Sequence, residues 1–405
     1  MAVSSQPVAG SLLAAVSPAP PDAILGLTEA FNGDDRRDKM NLSVGVYKDA
    51  DGITPVMRCV KDAEQILVET EKTKGYLSID GLPDYRDQVR RLVFGRDVTA
   101  DQVAIVQAPG GTGALRIAAD FIGSQFGSPR VWLPSPTWAN HNAILSAARL
   151  PAETYRYLSG DRTSLDLTGM LEDLTDKAKP GEIVLLHACC HNPSGVDPDA
   201  DQWKQIAEAI AAAKLFPIID YAYQGFGDGL DQDSVGLKAL LSVIPEAIVC
   251  SSYSKNFGLY SERVGAVGLV AADATTVAAS LSQLKTIVRS NYSNPPRHGA
   301  AIVATVLGDE ALTRSWKKEL MEMRLRIHRL RELFVEGMKA TTADRDYSFL
   351  LSQKGMFSFS GLTPMQVDQL RTEHGIYIVG SGRINVAGMN ENRMDWLCEK
   401  IAAVL

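Results

Sequence analysis

The sequence predicts an α/β protein in which a large domain, built on a mostly parallel sheet flanked by helices, carries a smaller α+β domain. In the middle of the 405-residue chain, near-continuous apolar runs alternate with helix-like stretches. Runs of that kind are buried on both faces of a parallel sheet, and short crossovers favour parallel pairing. After about residue 310 helix formers dominate, and short mixed elements follow them. The chain is also too long for one compact core, which favours two domains.

The apolar runs predict six strands, over 102–107, 130–135, 182–189, 216–222, 247–252 and 264–272. Helical spacing predicts helices over 113–126, 199–214 and 312–340. Near the end we expect a hairpin in GMFSFSGL, a helix in MQVDQLRTEHG, a strand in YIVGSGRINVAG and a final helix. The expected division is a leader with part of the small domain (1–55), a large cofactor-binding domain (56–320) and a small domain (321–405).

The composition is that of an ordinary soluble globular protein, with 22% charged residues and a net charge of −7. That charge argues against a nucleic-acid or anionic-membrane partner. No apolar run approaches the ~18 residues of a membrane-spanning helix. The first ~20 residues carry no Lys or Arg and fit neither a secretory signal nor a transit peptide. The five cysteines are expected to be reduced and buried. We therefore expect a cytoplasmic enzyme.

Lys255 lies in AIVCSSYSKNFGLYSERVGA, just after a predicted strand. A lysine at the end of a buried strand is partly desolvated, and desolvation with nearby cations lowers its pKa and makes it nucleophilic. Ser252 and Arg263, on either side of it, carry groups that bind phosphate. An amine beside a phosphate site suggests pyridoxal phosphate, whose aldehyde forms a Schiff base with lysine.

Asp220 and Tyr223 follow the apolar run in FPIIDYAYQGF. A carboxylate that closes a buried strand is costly without a cationic partner, and a protonated pyridine nitrogen would be such a partner. Tyr223 could hydrogen-bond the phenolic oxygen of the cofactor. The alternative for Asp220 is a helix N-cap or a strand-end turn.

The segment APGGTGALR passes from a strand into a helix, and Gly111 and Thr112 stand at the turn. Backbone N–H groups at a helix N-terminus suit a phosphate. A dinucleotide-binding turn is the alternative. It is disfavoured because Arg116 stands where the motif requires glycine and no acidic residue ends the next strand.

Two other strand ends carry candidate ligands. Trp138 follows RVWLPSPTW and could stack on a flat ring, although a core role is the commoner one for a single tryptophan. Asn192 follows HACCH and could donate a hydrogen bond. The histidines and cysteines of that cluster cannot converge on one tetrahedral ion, since neighbouring strand residues point to opposite faces. No metal is therefore predicted.

Arg289 and Arg383 lie in segments that do not resemble surface helices, namely before SNYSNPP and within GSGRINVAG. An arginine can bind a carboxylate through two parallel hydrogen bonds, so two arginines would suit a dicarboxylate. The alternative for each is a surface salt bridge.

The ordered blocks SVGVYKDADGITPV, GYLSIDGLPDYR, APGGTGALRIAADF, HACCHNPSG, IDYAYQGF, SSYSKNFGLYSERVGA, RSNYSNPPRHGA, GMFSFSGL and SGRINVAGM carry a family resemblance. From about Asp22 to its end, the chain resembles the class I aspartate aminotransferases of the pyridoxal-phosphate fold-type I group. Many specific blocks in one order indicate the family far better than any single motif.

The resemblance implies a role for each matching residue. Lys255 would hold the cofactor and carry the proton, Asp220 would pair with the pyridine nitrogen, and His141 would support Asp220 from behind. Tyr223 and Asn192 would bond the ring oxygen, and Trp138 would stack on the ring. The phosphate would be held by Gly111, Thr112, Ser252, Arg263 and Tyr76 of the partner subunit. Arg383, near the Gly45 backbone, would bind the α-carboxylate, and Arg289 of the partner subunit would bind the distal one.

The implied protein is a homodimer with shared active sites. It would move the amino group between L-aspartate and 2-oxoglutarate by a ping-pong aldimine/ketimine mechanism. Aromatic aminotransferases share most of these residues and remain an alternative, because Gly75 and Ser43 depart from the aspartate pattern of Asn and Gly. A cofactor-binding protein without turnover is disfavoured by the two substrate-type arginines. A nicotinamide dehydrogenase would require the dinucleotide turn.

Overall fold

The computed structural model describes Leu13 and residues 16–19, 24–95, 98–342 and 345–405. Its strands, in chain order, are β1 (Met40–Asn41), β2 (Val103–Pro109), β3 (Val131–Ser135), β4 (Ala152–Arg156), β5 (Ile183–His187), β6 (Phe216–Tyr221), β7 (Ala247–Ser252), β8 (Val264–Val270), β9 (Phe357–Phe359), β10 (Ile376–Tyr377) and β11 (Arg383–Asn385).

The α-helices lie before, between and after these strands. In chain order they are α1 (Leu25–Asn32), α2 (Arg58–Thr70), α3 (Pro83–Phe94), α4 (Gly110–Gln125), α5 (Asn140–Ala147), α6 (Leu167–Glu172), α7 (Ala200–Ala212), α8 (Val235–Val243), α9 (Ala274–Asn291), α10 (His298–Gly308), α11 (Glu310–Thr341), α12 (Pro364–His374) and α13 (Met394–Ala402).

Seven strands form the central sheet, in the order β2-β8-β7-β6-β5-β3-β4. Strands β3 to β7 pair in parallel, while β8 runs antiparallel to both β7 and β2. Strands β5, β7 and β8 are buried along their whole length, as their near-continuous apolar sequences require. The predicted α/β class with a mostly parallel sheet is confirmed, and all six predicted strands are present with ends shifted by at most two residues.

Strand β4 was not predicted. Only Tyr155 of its five residues is buried, because β4 lies at the edge of the sheet beside β3. A strand with so little buried surface carries no apolar run and leaves a weak signal in the sequence. Helix α9 was also not predicted, which affects the prediction made for Arg289.

The C-terminal region corrects two predictions. GMFSFSGL is not a hairpin, because β9 pairs antiparallel with the distant β11. The single strand expected in YIVGSGRINVAG is interrupted at Gly382, whose φ of +82° turns the chain, and it becomes β10 and β11. Strand β10 pairs in parallel with β1, so the segment before residue 55 packs against the C-terminal region.

All five cysteines are free and buried, as the sequence predicts. Most of the leader expected over the first ~20 residues lies outside the described residues. Among the helices that the structure describes, none is long and apolar enough to cross a membrane.

Candidate active site

A cavity of about 100 Å³ lies at the carboxyl ends of β5, β6 and β7. Ligands of open α/β sheets bind at this edge, because loops leaving neighbouring parallel strands converge there. Nine of the residues predicted from the sequence line this cavity: Gly111, Thr112, Trp138, Asn192, Asp220, Tyr223, Ser252, Lys255 and Arg263.

Lys255 lies three residues beyond the end of β7, and its side chain is half-buried in the wall of the cavity. Burial, reinforced by the charges of Arg263 and Arg383, lowers the pKa of the amine to about 8, although the Asp220 carboxylate acts in the opposite direction. The Nζ atom lies 5.2 Å from the ring centre of Tyr260 and 5.9 Å from that of Tyr223. A substantial fraction of this amine is therefore neutral and nucleophilic near pH 7.

Asp220 lies within β6, not at a helix start, and is buried. Its Oδ2 lies 3.0 Å from Nε2 of His141, whose Nδ1 lies 2.7 Å from the Thr137 hydroxyl. Burial alone would raise the carboxyl pKa, but the hydrogen bond with His141 and the positive charge of Lys255 bring it below its ordinary value. The carboxylate thus stays ionised at neutral pH, and it can neutralise a cation in the cavity.

His187, at the end of β5, is a neighbour of Asp220 that the sequence did not indicate as a site residue. Its Nε2 lies 4.0 Å from the carboxylate, and neither ring nitrogen has a hydrogen-bond partner among the described residues. Burial lowers its pKa to about 3 despite the nearby carboxylate, so the imidazole is neutral. His187 is therefore a polar neighbour of Asp220 that carries no positive charge.

The N-terminus of α4 and the segment around Ser252 form a cradle for an anion. A β-carbon added to Gly110 would lie 2.2 Å from Nη2 of Arg263, and one added to Gly111 would lie 3.1 Å from Cβ of Ser252. Arg263 donates to the Ser254 hydroxyl at 3.2 Å. Backbone N–H groups, two hydroxyls and a guanidinium thus converge there. Ser254 also lines the cavity and was missed, although it directly precedes Lys255.

Trp138, Asn192 and Tyr223 lie on the walls of the cavity. The indole of Trp138 meets the ring of His141 edge-on at 5.3 Å between centres. Nδ2 of Asn192 lies 3.5 Å from the Tyr223 hydroxyl. Burial raises the pKa of Tyr223, so it remains a hydroxyl donor throughout the neutral range.

Arg383, at the start of β11, lies beside Asn192. Its Nη2 donates to the carbonyl of Ser43 at 2.6 Å, and its Nη1 lies 3.4 Å from Oδ1 of Asn192. The buried Nε has no partner in the described part of the chain. Burial lowers the guanidinium pKa to about 10, so Arg383 remains a cation with donor capacity for an anionic ligand.

Gly45 lies against the ring on which Arg383 rests. The Arg383 guanidinium carbon is 4.2 Å from the ring centre of Phe357. A β-carbon added to Gly45 would come within 2.4 Å of Cζ of the same ring. Glycine at position 45 is therefore a steric requirement of the Phe357 ring position.

Tyr76 and Arg289 do not line the cavity of their own chain as the structure describes it. Tyr76 is 96% exposed. Arg289 is exposed in the last turn of α9, where it donates to the Ser293 hydroxyl. The prediction that Arg289 lies outside a surface helix is wrong. Val277, Leu284 and Val288 bury one face of α9, and the position after Val288 points away from it.

The cysteines and histidines at 187–191 do not form one metal site. His187 faces His141 and Asp220, whereas Cys189 and Cys190 lie near Asp233. The Asp233 carboxylate already accepts four backbone N–H groups, from Gly225, Gly227, Asp228 and Gly229. Strand alternation is not the reason: β5 ends at His187, and the turn that follows, with a φ of +52° at Cys190, brings the adjacent Cys189 and Cys190 to the same side.

The fold and the cavity together define an α/β transferase. A half-buried lysine, an ionised aspartate and an anion cradle meet at the carboxyl edge of its sheet. Residues 37–401 match the family model of the class I and II aminotransferases. The chain belongs to that family.

Known relatives match over nearly the whole chain. The aspartate aminotransferase of Haemophilus influenzae is 51% identical over 393 residues, which are 96% of this chain and 99% of that relative. The aromatic-amino-acid aminotransferase of Pseudomonas aeruginosa is 44% identical over 97% of this chain and 99% of its own.

A similar solved structure is the aromatic-amino-acid aminotransferase of Burkholderia pseudomallei, which is covalently bound to pyridoxal phosphate. It aligns with a TM-score of 0.94 and 47% identity, and the alignment covers 98% of this chain and all of that one.

Proposed function

We propose that this protein is a pyridoxal-phosphate-dependent aspartate aminotransferase, which moves the amino group between L-aspartate and 2-oxoglutarate. The observation that carries the proposal is the presence, in one cavity, of a lysine of lowered pKa and of the aspartate that His141 contacts. The family membership and the 51%-identical aspartate relative support it. The aromatic alternative rests on less similar relatives, at 44% and 47% identity.

The residues of the cavity fit pyridoxal phosphate by their chemistry. The cradle of Gly111, Thr112, Ser252 and Arg263 offers donors and positive charge for the phosphate, and a β-carbon on Gly111 would crowd it. Asp220 would pair with the ring nitrogen, with His141 behind it. Tyr223 and Asn192 would bond the ring oxygen, Trp138 would stack on the ring, and Lys255 would bond the aldehyde.

When bound, pyridoxal phosphate supplies an aldehyde that bonds amines and a ring that withdraws electrons from the adjoining carbon. Asp220 would keep the ring nitrogen of the bound cofactor protonated, because its carboxylate is ionised at neutral pH. Arg383, near Gly45, binds the substrate α-carboxylate. Nζ of Lys255, freed when the substrate amine takes its place, would remove the proton from Cα. Water would supply the oxygen of the departing oxo acid, the amino group would stay with the cofactor, and a second oxo acid would take up that amino group by the reverse steps.

Substrate preference follows from the two arginines. Arg383 serves the α-carboxylate, which every amino acid has, so selection for a dicarboxylate depends on Arg289. We expect kcat/KM for aspartate to exceed that for phenylalanine by about 100-fold or more, because an apolar side chain would leave Arg289 of the partner subunit without a carboxylate to pair with. Steady-state kinetics with 2-oxoglutarate as the second substrate measures this ratio. Equal values for aspartate and phenylalanine would favour the aromatic alternative.

The lowered pKa of Lys255 predicts the pH dependence of cofactor attachment. Only the neutral amine attacks the aldehyde. With a pKa of about 8, roughly one tenth of it is neutral at pH 7, against roughly one in 2,500 for an ordinary lysine. The attachment rate to the apoenzyme should therefore rise with pH up to about pH 8 and level off above it.

Visible absorption after rapid mixing of apoenzyme and cofactor follows that attachment. Nα-acetyl-lysine amide is the matched control, because its amine has an ordinary pKa and its rate should keep rising beyond pH 9. A protein profile that rises in parallel with the control would contradict the lowered pKa.

We also propose that the protein is a homodimer whose two active sites are shared. Tyr76 and Arg289 are exposed on the single chain, away from its own cavity, and large apolar side chains near Tyr76 in sequence are exposed too, with Val68 at 78%. In the proposed dimer, Tyr76 and Arg289 of each subunit complete the phosphate and distal-carboxylate sites of its partner.

Subunit mixing tests the sharing. A heterodimer of a Lys255→Ala subunit and an Arg289→Leu subunit would carry one doubly altered site and one intact site. Each parent homodimer should be inactive on aspartate, whereas an equilibrated equal mixture should regain about a quarter of wild-type activity. If each chain completed its own site, mixing would restore nothing.

We propose further that residues 56–320 form the large domain, and that 321–405 with part of 1–55 form the small one. The β1–β10 pairing supports this division. Closure of the small domain over a dicarboxylate would exclude water. Five free, buried cysteines support a cytoplasmic location.

A further inference from the structure

Arg331 is a buried charge on a helix whose other buried residues are apolar. It lies on α11 and is 2% exposed, among residues such as Ile327, Leu330 and Phe334. Burial lowers its pKa to about 10. No carboxylate forms an ion pair with it in the described residues. A buried guanidinium destabilises the fold unless its N–H groups form hydrogen bonds.

Arg331 forms hydrogen bonds that hold one turn of the chain. Nη2 of Arg331 donates to the carbonyl of Gly355 at 2.6 Å and to that of Phe357 at 3.2 Å. Nε and Nη1 have no hydrogen-bond partner among the described residues. The guanidinium therefore ties α11 to the turn at 355–357, which leads directly into β9.

That turn supports the carboxylate-binding residues from two sides. The Phe357 ring lies under the Arg383 guanidinium and against Gly45. The backbone N–H of Lys354 donates to the carbonyl of Gly195 at 2.7 Å, in the loop that carries Asn192. The turn and this loop are tightly packed against each other, since a β-carbon on Gly195 would lie 2.5 Å from the Phe357 carbonyl oxygen.

We propose that Arg331 is a positioning residue for substrate binding: by holding the carbonyls of Gly355 and Phe357, it fixes the ring and loop that aim Arg383 and Asn192 at the substrate carboxylate. Arg331 itself touches neither substrate nor cofactor. The inference rests on the proposed function, because it presupposes that Arg383 binds a carboxylate. Arg331, on the buried face of α11, thus contributes to the affinity for the substrate.

The test compares Arg331→Met, which keeps the volume and removes the N–H groups, with Arg331→Lys, which keeps the charge and can reach one carbonyl. Met338→Ala is the matched control, because Met338 is buried on the same helix but lies away from the turn. Three quantities are measured on the cofactor-loaded proteins. They are KM and kcat for aspartate and, by calorimetry, the dissociation constant of the dicarboxylate succinate.

Arg331→Met should raise both KM and the succinate dissociation constant by about tenfold or more, while kcat stays within about threefold and cofactor affinity is kept. Arg331→Lys should give a smaller increase, and it supplies the answer if the methionine variant does not fold. Met338→Ala should lower Tm without changing either constant by more than about twofold.

Succinate affinity within about twofold of wild type in the folded Arg331 variants would overturn the inference, as would an equal loss in Met338→Ala. These outcomes are distinct from failure of the proposed function. If the wild-type protein neither turned over aspartate nor bound succinate, the proposed function would be wrong. If it did both and the Arg331 variants were unaffected, only the role of Arg331 would be wrong.

Discussion

Lys255→Ala is expected to abolish transamination, with a loss in kcat of at least about 10⁴-fold, the upper range for a positioned acid–base group. No other lysine lines the cavity as the structure describes it. The cofactor should still bind, because the cradle around Gly111 and Arg263 is intact, but it should be removable by dialysis.

The measurement is single-turnover kinetics with aspartate, together with the visible spectrum of the bound cofactor. Lys204→Ala is the matched control. Lys204 is an exposed lysine of α7 that forms an ion pair with Asp201, and its loss should leave kcat unchanged. If Lys255→Ala retained the spectrum of the wild-type protein and more than about a tenth of its kcat, Lys255 would not be the proton carrier.

The positions of Lys255 and Asp220 could be predicted because they depend on the strongest signal in the sequence. Near-continuous apolar runs define β6 and β7, and the polar residues that end such runs collect at one edge of a parallel sheet. Strand order is not needed for this inference. Because strand order does not enter, the failure to predict the edge strand β4 did not affect the predicted site.

The residues that act behind the site could not be predicted in this way. His187 is a polar residue at the end of an apolar run, and only the register of β5 beside β6 brings it to Asp220. Arg331 is one of four arginines in MEMRLRIHRLRELF. The spacing of the apolar residues in this helix does indicate that Arg331 lies on its buried face. Arg331 lies four residues after the buried Ile327 and three before the buried Phe334, whereas Arg329 falls on the exposed face.

The prediction for Arg289 rested on a wrong argument about its secondary structure. Small polar residues after it suggested a loop, while the apolar spacing of Val277, Leu284 and Val288 before it specifies a helix. Its exposure on that helix is what the proposed dimer requires. A residue that serves the partner subunit must be accessible on its own chain.

Asp220→Asn is expected to reduce kcat by roughly 30- to 5,000-fold, the equivalent of about 2–5 kcal/mol for removing one member of a buried charge pair. Asparagine keeps the size of the side chain, so the cavity should keep its shape. The neutral amide cannot hold a proton on the ring nitrogen, and it leaves His141 with a weaker partner. Asp220→Glu, which keeps the charge on a longer side chain, should recover part of the activity.

Asp233→Asn is the matched control, because Asp233 is another buried carboxylate near the same strand ends. Its oxygens accept backbone N–H groups of the loop at 225–229, so its loss should destabilise the fold. A drop in Tm with kcat of the folded enzyme kept within about threefold is expected for this variant.

The pair of variants separates chemistry from folding. Asp220→Asn should lose turnover even where its Tm equals that of the wild type, since His141 and Thr137 still fill the space behind it. If instead the loss of kcat in both variants followed the loss of Tm, Asp220 would be a structural carboxylate. The assignment of the ring-nitrogen partner would then pass to another group. The charge of Asp220, held ionised in a buried site, is thus the feature on which the proposed chemistry depends most directly after Lys255.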